Sequence, residues 1–453
     1  MNNIVPGIPV EEAGPSTQPS PAAAGEGTGA KRTWLGLLGP GLIVGASDDD
    51  PSGIATYSQA GAGYGAGLLW TMLFTYPLVA AVQEISGRIG RVTGRGIAGN
   101  IRKFYSPWLL YPLVVMLVTA NVFNIGADIG AMGEALKLIV GGNALVYSVG
   151  FAALCVVLQV YVSYPKYRRY LKWLTPVLFS YVATVLAVHV NWSEALRGTF
   201  IPKLGKTGDY WATFIALLGT TISPYLFFWQ ASQETEDIRD KTEDEPLKNA
   251  PQQAPEQLSR IRFDTYVGMF LSNVIAYFII LAAAATLHRH GITTIDTAAQ
   301  AADALRPIAG RFASTIFALG IVGTGLLAVP VLAGSAAYAS AEALQWQSGM
   351  GKKPRAAKGF YGVLAVATLI GLAMNFPVVQ SHTHLTPIRA LFWSAVLNGV
   401  AASPVMLMMM LINSNPKAMG KFSGISPWMR FFGWTATVVM AGAVVGLFWT
   451  WNS

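Results

Sequence analysis

Long apolar stretches separated by short polar loops run through the chain from Trp34 onward. A helix that crosses a bilayer needs about 20 predominantly apolar residues, and eleven stretches reach this length. They cover approximately residues 34–62, 66–88, 108–136, 144–163, 170–190, 210–233, 264–287, 312–344, 358–376, 387–412 and 428–450. The pattern predicts an all-α polytopic membrane protein with eleven transmembrane helices.

The first 33 residues are rich in Pro, Gly, Ala, Ser and Thr and contain no long apolar run. We expect them to form a disordered cytoplasmic tail without a cleavable signal peptide. The rest of the chain divides into residues 34–190 for helices 1–5, 191–233 for an extracellular loop and helix 6, 234–262 for a flexible cytoplasmic loop, 263–412 for helices 7–10, and 413–453 for a loop and helix 11.

The composition supports a membrane location, since 53% of the residues are hydrophobic, only 12% are charged and the mean hydropathy is +0.45. The formal charge of +8 does not indicate nucleic-acid binding, because Lys and Arg lie in short loops between apolar runs. Of these 31 basic residues, 23 fall on the side of the N-terminus, which the positive-inside rule therefore places in the cytoplasm.

On that side Glu84 precedes Arg88 by four residues, a spacing that favours a local ion pair. The single cysteine, Cys155, excludes an intrachain disulfide.

The first apolar stretch is interrupted by the segment DDDPSG, residues 48–53. A charge at the centre of a membrane helix costs at least ~2.5 kcal/mol, and Pro51 removes a backbone donor and breaks the helix. Transporters use carboxylates beside a broken helix to hold a cation. The hexapeptide therefore indicates ion transport, with Asp48, Asp49 and Asp50 as candidate contacts of the cation, either directly or through a retained water.

The sixth stretch is interrupted by GTTISPY, residues 219–225. If helices 1–5 and 6–10 are two repeats, each repeat opens with a broken helix, and the second repeat is inverted because five is odd. Two broken helices at matching positions indicate a binding site at the membrane midplane. The alternative is that Pro224 only kinks its helix, as proline often does in membranes.

Polar side chains also occur inside the third and tenth stretches. Asn121, Asn124 and Asp128 lie within about 60° of one another on one helix face, and Asn398 is a weaker candidate of the same kind. One interpretation is a hydrophilic wall along a permeation path. The other is hydrogen bonding between helices.

Two sequence motifs resemble those of the Nramp (natural resistance-associated macrophage protein) family of divalent-metal transporters. The segment QEISGRIGRVTGR, residues 83–95, resembles the family signature Q-x-L-x-x-R-L-G-x-V-T-G-K/R that closes the second helix. Residues 413–422 resemble the family segment that follows the tenth helix. The resemblance extends from about Trp34 to Ser423 and implies a LeuT-like fold of two inverted five-helix repeats with broken helices 1 and 6.

The chain departs from this family at the metal ligands. Typical members carry D-P-G-N in the first helix and M-P-H in the sixth, where this chain has DPSG and SPY. The resemblance implies a metal site made of Asp50, of Gly53 in place of the asparagine ligand, and of Ser223 in place of the methionine. It also implies backbone carbonyl ligands from Ser47 and Thr220.

These substitutions favour a hard cation. A thioether selects transition metals, so its loss removes a barrier to Mg²⁺, and the smaller residues enlarge the pocket. Mg²⁺ keeps several of its waters and is held by one or two carboxylates. The pattern resembles the Nramp-related magnesium transporters, a prokaryotic branch, and implies import of partly hydrated Mg²⁺ and Mn²⁺ by alternating access at the inner (plasma) membrane. No cofactor is implied, and the oligomeric state stays open, with a monomer as one option.

Two further departures concern proton coupling. Tyr225 occupies the position of the family's histidine and, with an ordinary pKa near 10, is a poor proton carrier at neutral pH. Asp128 remains from a D-x-x-E pair, but the glutamate position is Ala131. We therefore expect uncoupled transport, because an inside-negative potential favours entry of a divalent ion by about 4.6 kcal/mol per 100 mV.

Several alternatives stay open. A proton-coupled Mn²⁺/Fe²⁺ symporter requires only this fold and Asp50, and a trivalent cation such as Al³⁺ is a further candidate substrate. A carrier of organic solutes is compatible with the architecture alone. An intramembrane aspartyl protease could pair Asp50 with Asp128, but neither lies in the G-x-G-D context of such enzymes, so we expect no enzymatic activity.

Overall fold

The computed structural model describes residues 45, 47–162, 175–241, 243–383 and 385–450, and this part of the chain is helical without strands. The α-helices, in chain order, are α1 Pro51–Tyr64, α2 Trp70–Thr93, α3 Ile97–Phe104, α4 Pro107–Val140, α5 Ala144–Tyr161, α6 Phe179–Ala187, α7 Trp192–Phe200, α8 Gly208–Thr221, α9 Pro224–Asp240, α10 Ala254–Thr286, α11 Ala298–Asp303, α12 Arg306–Ala309, α13 Ala313–Leu344, α14 Lys358–Ala373, α15 Pro377–Thr383, α16 Pro387–Ser414, α17 Pro416–Met419 and α18 Pro427–Thr450. Short 3₁₀ turns occupy Gly65–Leu68, Thr175–Leu178, Pro251–Gln253, His288–His290, Gly310–Phe312 and Gly420–Phe422.

Seven helical segments among the described residues are long and apolar enough to cross a membrane. Two further pairs are bent, by 107° between α1 and α2 and by 67° between α14 and α15, and counting each pair as one span gives up to nine. The all-α architecture is thus confirmed, whereas the number eleven stays a prediction. The expected first and fifth spans, 34–62 and 170–190, lie partly outside the described residues, and the expected tail 1–33 lies wholly outside them.

The segment formed by α8 and α9 lies at the centre of the bundle. In its most apolar stretch 94% of the residues are buried, compared with 22% for α5 and 33% for α18. The predicted break is present, because α8 ends at Thr221 and α9 begins at Pro224. The second interrupted helix is therefore surrounded by protein, whereas α5 and α18 lie at the periphery.

Helices α9 and α10 both extend into residues 234–262, which the polarity of the sequence predicts as a loop. The connection that remains is 241–253. Glu234 and Arg260, one on each helix, form an ion pair with a 2.5 Å separation between Oε2 and Nη2. This pair joins the two helices where the sequence alone shows only a mixture of charges.

Glu84 and Arg88 form no close ion pair among the described residues, although each charge still acts on the other. Glu84 instead contacts Arg262 of α10, at 3.1 Å between Oε1 and Nε. Arg88 donates to the carbonyl oxygens of Phe422 and Gly424, in the segment before α18. Both side chains therefore join α2 to distant parts of the chain, and local spacing does not reveal these partners.

Glycines allow several helix backbones to touch directly. A Cβ added at Gly219 of α8 would overlap the carbonyl oxygen of Ala395 and the backbone of Gly399 in α16. A Cβ at Gly61 of α1 would overlap the carbonyl oxygen of Ile280 in α10. One break lies just before α1 and the other just after α8. The positions of both helices are therefore fixed by contacts that leave no room for a methyl group.

We predict that Gly219→Ala lowers the free energy of unfolding by about 1–3 kcal/mol, the usual cost of overpacking a core. Thermal unfolding of the detergent-solubilised protein measures the effect. Gly362→Ala is the matched control, because a Cβ at this position of α14 has open space within 4 Å. An unchanged unfolding midpoint for Gly219→Ala would contradict the close contact between α8 and α16.

Candidate functional site

The carboxylate of Asp50 is held at the start of α1. Asp50 is the N-cap residue, with φ −68° and ψ 172°, and Pro51 follows at the first helical position. One carboxylate oxygen, Oδ1, accepts hydrogen bonds from the backbone N–H of Gly53 at 2.7 Å and the hydroxyl of Ser52 at 2.6 Å. Asp and Pro are favoured at these two positions, so the local sequence itself fixes one edge of the carboxylate.

The other oxygen of Asp50, Oδ2, faces α4 and α9. The side-chain amide of Asn124 donates to it at 3.2 Å. The hydroxyl of Tyr225 lies 3.4 Å from the same oxygen and 2.9 Å from the carbonyl oxygen of Ser47. A hydroxyl has one proton to donate, and the shorter distance assigns it to Ser47. Tyr225 therefore occupies the space between two of the expected metal ligands.

Ser223 lies at the break between α8 and α9 and contacts the last turn of α8. This residue is the N-cap of α9, but its side chain makes no capping bond. Its hydroxyl lies instead 2.7 Å from the carbonyl oxygen of Gly219 and 2.9 Å from that of Thr220. These carbonyls lie in the last turn of α8, where helical partners are missing, so Ser223 satisfies part of the free helix end.

The two breaks meet at Gly53. A Cβ at this position would lie 3.1 Å from the hydroxyl oxygen of Thr220 and 3.2 Å from the carbonyl oxygen of Asp48. Ser47, Asp50, Thr220 and Ser223 are at most 1% exposed. The five residues that the resemblance implies as metal ligands are thus linked by neighbouring contacts, with Ser223 and Gly53 both beside Thr220 and with Tyr225 between Ser47 and Asp50.

The polar residues of α4 differ in their contacts. Asn124 donates to Asp50, and its own carbonyl oxygen lies 2.9 Å from the hydroxyl oxygen of Ser394 in α16, which also lies 2.7 Å from the carbonyl oxygen of Leu391. Asn121 donates to the carbonyl oxygen of Leu332 in α13 at 2.9 Å, which is a hydrogen bond between helices. Ser394 is absent from the residues predicted by sequence, although it lies one turn before Asn398 on the same face of α16.

Asp128 and Asn398 are both fully buried. Neither carboxylate oxygen of Asp128 and neither amide atom of Asn398 has a hydrogen-bond partner in the part of the chain that the structure describes. A buried polar group without a partner costs about 1–3 kcal/mol. The hydrogen-bonding capacity of these two buried side chains is therefore unused among the described residues.

Asp48 and Asp49 face α10, where they share one serine. The hydroxyl oxygen of Ser272 lies 2.6 Å from Oδ2 of Asp48 and 3.2 Å from Oδ1 of Asp49. A Cβ at Gly45 would overlap the backbone of Gly268, one turn before Ser272, so the backbone at Gly45 lies directly on α10. The sequence signal for Ser272 is a Ser-Asn pair inside an otherwise apolar run.

Comparisons with known proteins agree with this architecture. A family model described as natural resistance-associated macrophage protein-like matches residues 41–450. The divalent metal cation transporter MntH of Klebsiella pneumoniae is 26% identical over 424 residues, which cover 91% of this chain and 93% of that protein.

Solved structures share the fold at low sequence identity. The manganese transporter of Eremococcus coleocola matches with a TM-score of 0.71 and 16% identity, over 92% of this chain and 87% of that one. Mhp1, a nucleobase-cation-symport-1 family transporter, matches with a TM-score of 0.54 and 15% identity, over 91% of this chain and 92% of that one. These relatives are transporters, not enzymes, in agreement with the expectation from sequence.

The capping contacts predict a difference between two substitutions of Asp50. We expect Asp50→Ala to lower the free energy of unfolding by about 0.5–2 kcal/mol, because the N-cap acceptor is lost. Asp50→Asn keeps an acceptor of similar capping strength and should lose less. Thermal unfolding in a chelating buffer separates this effect from metal binding. Equal destabilisation by both substitutions would show that α1 does not depend on this cap.

Proposed function

The chain belongs to the Nramp family, and we propose that it imports Mg²⁺, and also Mn²⁺, as partly hydrated ions by alternating access. The observation that carries this proposal is the cluster of oxygen groups where the two broken helices meet. Asp50 supplies the carboxylate, and Gly53 is so near Thr220 of the other interrupted segment that an added Cβ would lie 3.1 Å from its hydroxyl oxygen. Relatives named for divalent metal and manganese transport support the general class of substrate.

The preference for a hard ion rests on Ser223 and Gly53. Ser223 occupies the position of the family's methionine, and a hydroxyl does not discriminate against Mg²⁺ as a thioether does. Gly53 has no side chain, so a retained water can occupy the position of an asparagine amide. Mg²⁺ gives up its waters reluctantly, and a site with one fixed carboxylate and small neighbours fits such an ion.

We further propose that transport is not coupled to protons. Tyr225 stands where the family has a histidine, and its hydroxyl lies against the carbonyl oxygen of Ser47. Ala131 of α4 replaces the glutamate that the family has in its third membrane span. The membrane potential alone favours inward movement of a divalent cation. Neither residue supplies an ordinary proton carrier at neutral pH.

The path to and from this cluster is proposed to include Asp128 and Asn398, because their polar atoms lack partners among the described residues. Asp48 and Asp49 would form a second wall near Ser272. The contact of Asn121 with Leu332 favours a structural role for this asparagine. Asn124 is proposed to orient Asp50.

The proposed topology has eleven membrane helices, with helices 1–5 and 6–10 as inverted repeats and the N-terminus in the cytoplasm of a prokaryotic cell. The supporting observations are the broken segments beginning at Pro51 and Pro224 and the excess of basic residues on one side of the membrane. The same fold and Asp50 would also serve a proton-coupled Mn²⁺/Fe²⁺ symporter, which is the second candidate. The manganese transporter among the structural relatives favours this alternative.

Reconstituted liposomes with an inside-negative potential test the proposal, with Mg²⁺ or Mn²⁺ outside and indicators of metal and pH inside. We expect Mg²⁺ entry without acidification of the interior, and loss of at least nine-tenths of the flux in Asp50→Ala. Asp303→Asn is the control for loss of one carboxylate, because its ion pair with Arg306 is exposed and contributes little. Mn²⁺ entry with acidification and no Mg²⁺ flux would establish the symporter instead.

Ser223 provides a test of selectivity. We predict that Ser223→Met reduces the ratio of Mg²⁺ to Mn²⁺ flux about tenfold or more, because a soft ligand replaces a hydroxyl. Ser223→Leu is the matched control of similar volume without sulfur. Competition of the two metals for uptake in the same liposomes measures the ratio. The same loss in both variants would assign the effect to size and contradict the role of ligand softness.

A further inference from the structure

A groove of about 520 Å³ runs along the outer face of α18. Its walls are mainly apolar and include Phe431, Trp434, Val438 and Val439, with Arg430 near one end. Phe431 and Val438 are 62% and 67% exposed, and α18 is one of the least buried membrane helices described here. The groove therefore faces the lipid and lies away from the candidate metal site.

The length of the groove matches one leaflet of a bilayer. From Arg430 to Val439 the helix rises nine residues, or roughly 14 Å at 1.5 Å per residue. The hydrocarbon core of a bilayer is about 30 Å thick, so one leaflet contributes about half of that. A chain that enters beside Arg430 and follows the apolar walls would reach about as deep as the acyl chain of a phospholipid.

Arg430 places a positive charge at one end of the groove. Its guanidinium makes no ion pair or hydrogen bond in the part of the chain that the structure describes. Lys417 and Lys421 lie in the segment just before α18, and the sequence contains no Asp or Glu after Glu342, whereas eight Lys and Arg residues follow it. This end of the groove is thus suited to an anion.

We propose that the groove binds one anionic phospholipid of the bilayer, with its phosphate on Arg430 and an acyl chain along Trp434 and Val438. The planar guanidinium can make two parallel hydrogen bonds to a phosphate, and basic groups at a membrane helix end are typical of anionic-lipid sites. Trp428, which is 61% exposed, lies at the same helix end, where tryptophan is common at the membrane interface. The site is independent of the proposed transport activity.

The experiment is native mass spectrometry of the full chain, extracted in mild detergent from vesicles of phosphatidylcholine that contain phosphatidylglycerol. We expect one phosphatidylglycerol to be retained per chain. Arg430→Gln should reduce its retention roughly fivefold, as expected for loss of about one basic contact. The matched control is Lys353→Gln, which removes an exposed charge from the loop before α14.

A second variant separates the groove from the charge. Val438→Trp fills the groove and leaves Arg430 in place, so it should displace the phospholipid without changing the basic charge of the protein. Equal retention in Arg430→Gln and Lys353→Gln would overturn the proposal, because binding would then follow net charge alone. A lipid-free dimer that Val438→Trp dissociates would also overturn it and would identify a second copy of the chain as the occupant.

Discussion

The hydrogen bonding of one buried carboxylate connects the main elements of this structure. Asp50 is almost completely excluded from solvent, and a charge in such a place is tolerated only with partners. The start of α1 supplies two donors to Oδ1, and Asn124 supplies one to Oδ2. On its other side, the carbonyl oxygen of Asn124 lies 2.9 Å from the hydroxyl oxygen of Ser394 in α16. The start of α1 and the polar face of α4 are thus joined through the carboxylate of Asp50.

This arrangement requires helices that approach one another closely. Gly219 brings α8 against α16, and Gly61 brings α1 against α10. A hydrogen bond between side chains of different segments, such as that from Asn124 to Asp50, forms only where the segments lie close together. Small residues at helix crossings are the usual means of close contact in membranes, where the hydrophobic effect does not drive helices together.

The sequence predicts the local features well and the long-range ones poorly. Breaks at Pro51 and Pro224 follow from the chemistry of proline inside apolar runs. Ser394 is not predicted, because a single hydroxyl in a membrane helix carries little signal until its partner on another helix is known, and Ser272 is marked in the sequence only by the adjacent Asn273. The partner of Glu84 was misjudged for the same reason, since the four-residue spacing to Arg88 is a local pattern and Arg262 is brought near only by the fold.

The hydroxyl of Tyr225 is an internal competitor for the proposed metal ligands. It lies between the carbonyl oxygen of Ser47 and the carboxylate of Asp50. The hydroxyl therefore occupies space that a cation at the proposed site would need. Binding is then an exchange of internal hydrogen bonds for metal contacts, and only the difference appears as affinity. We therefore expect the proposed site to hold a cation less tightly than a site whose oxygens are free, because these internal hydrogen bonds must first be broken.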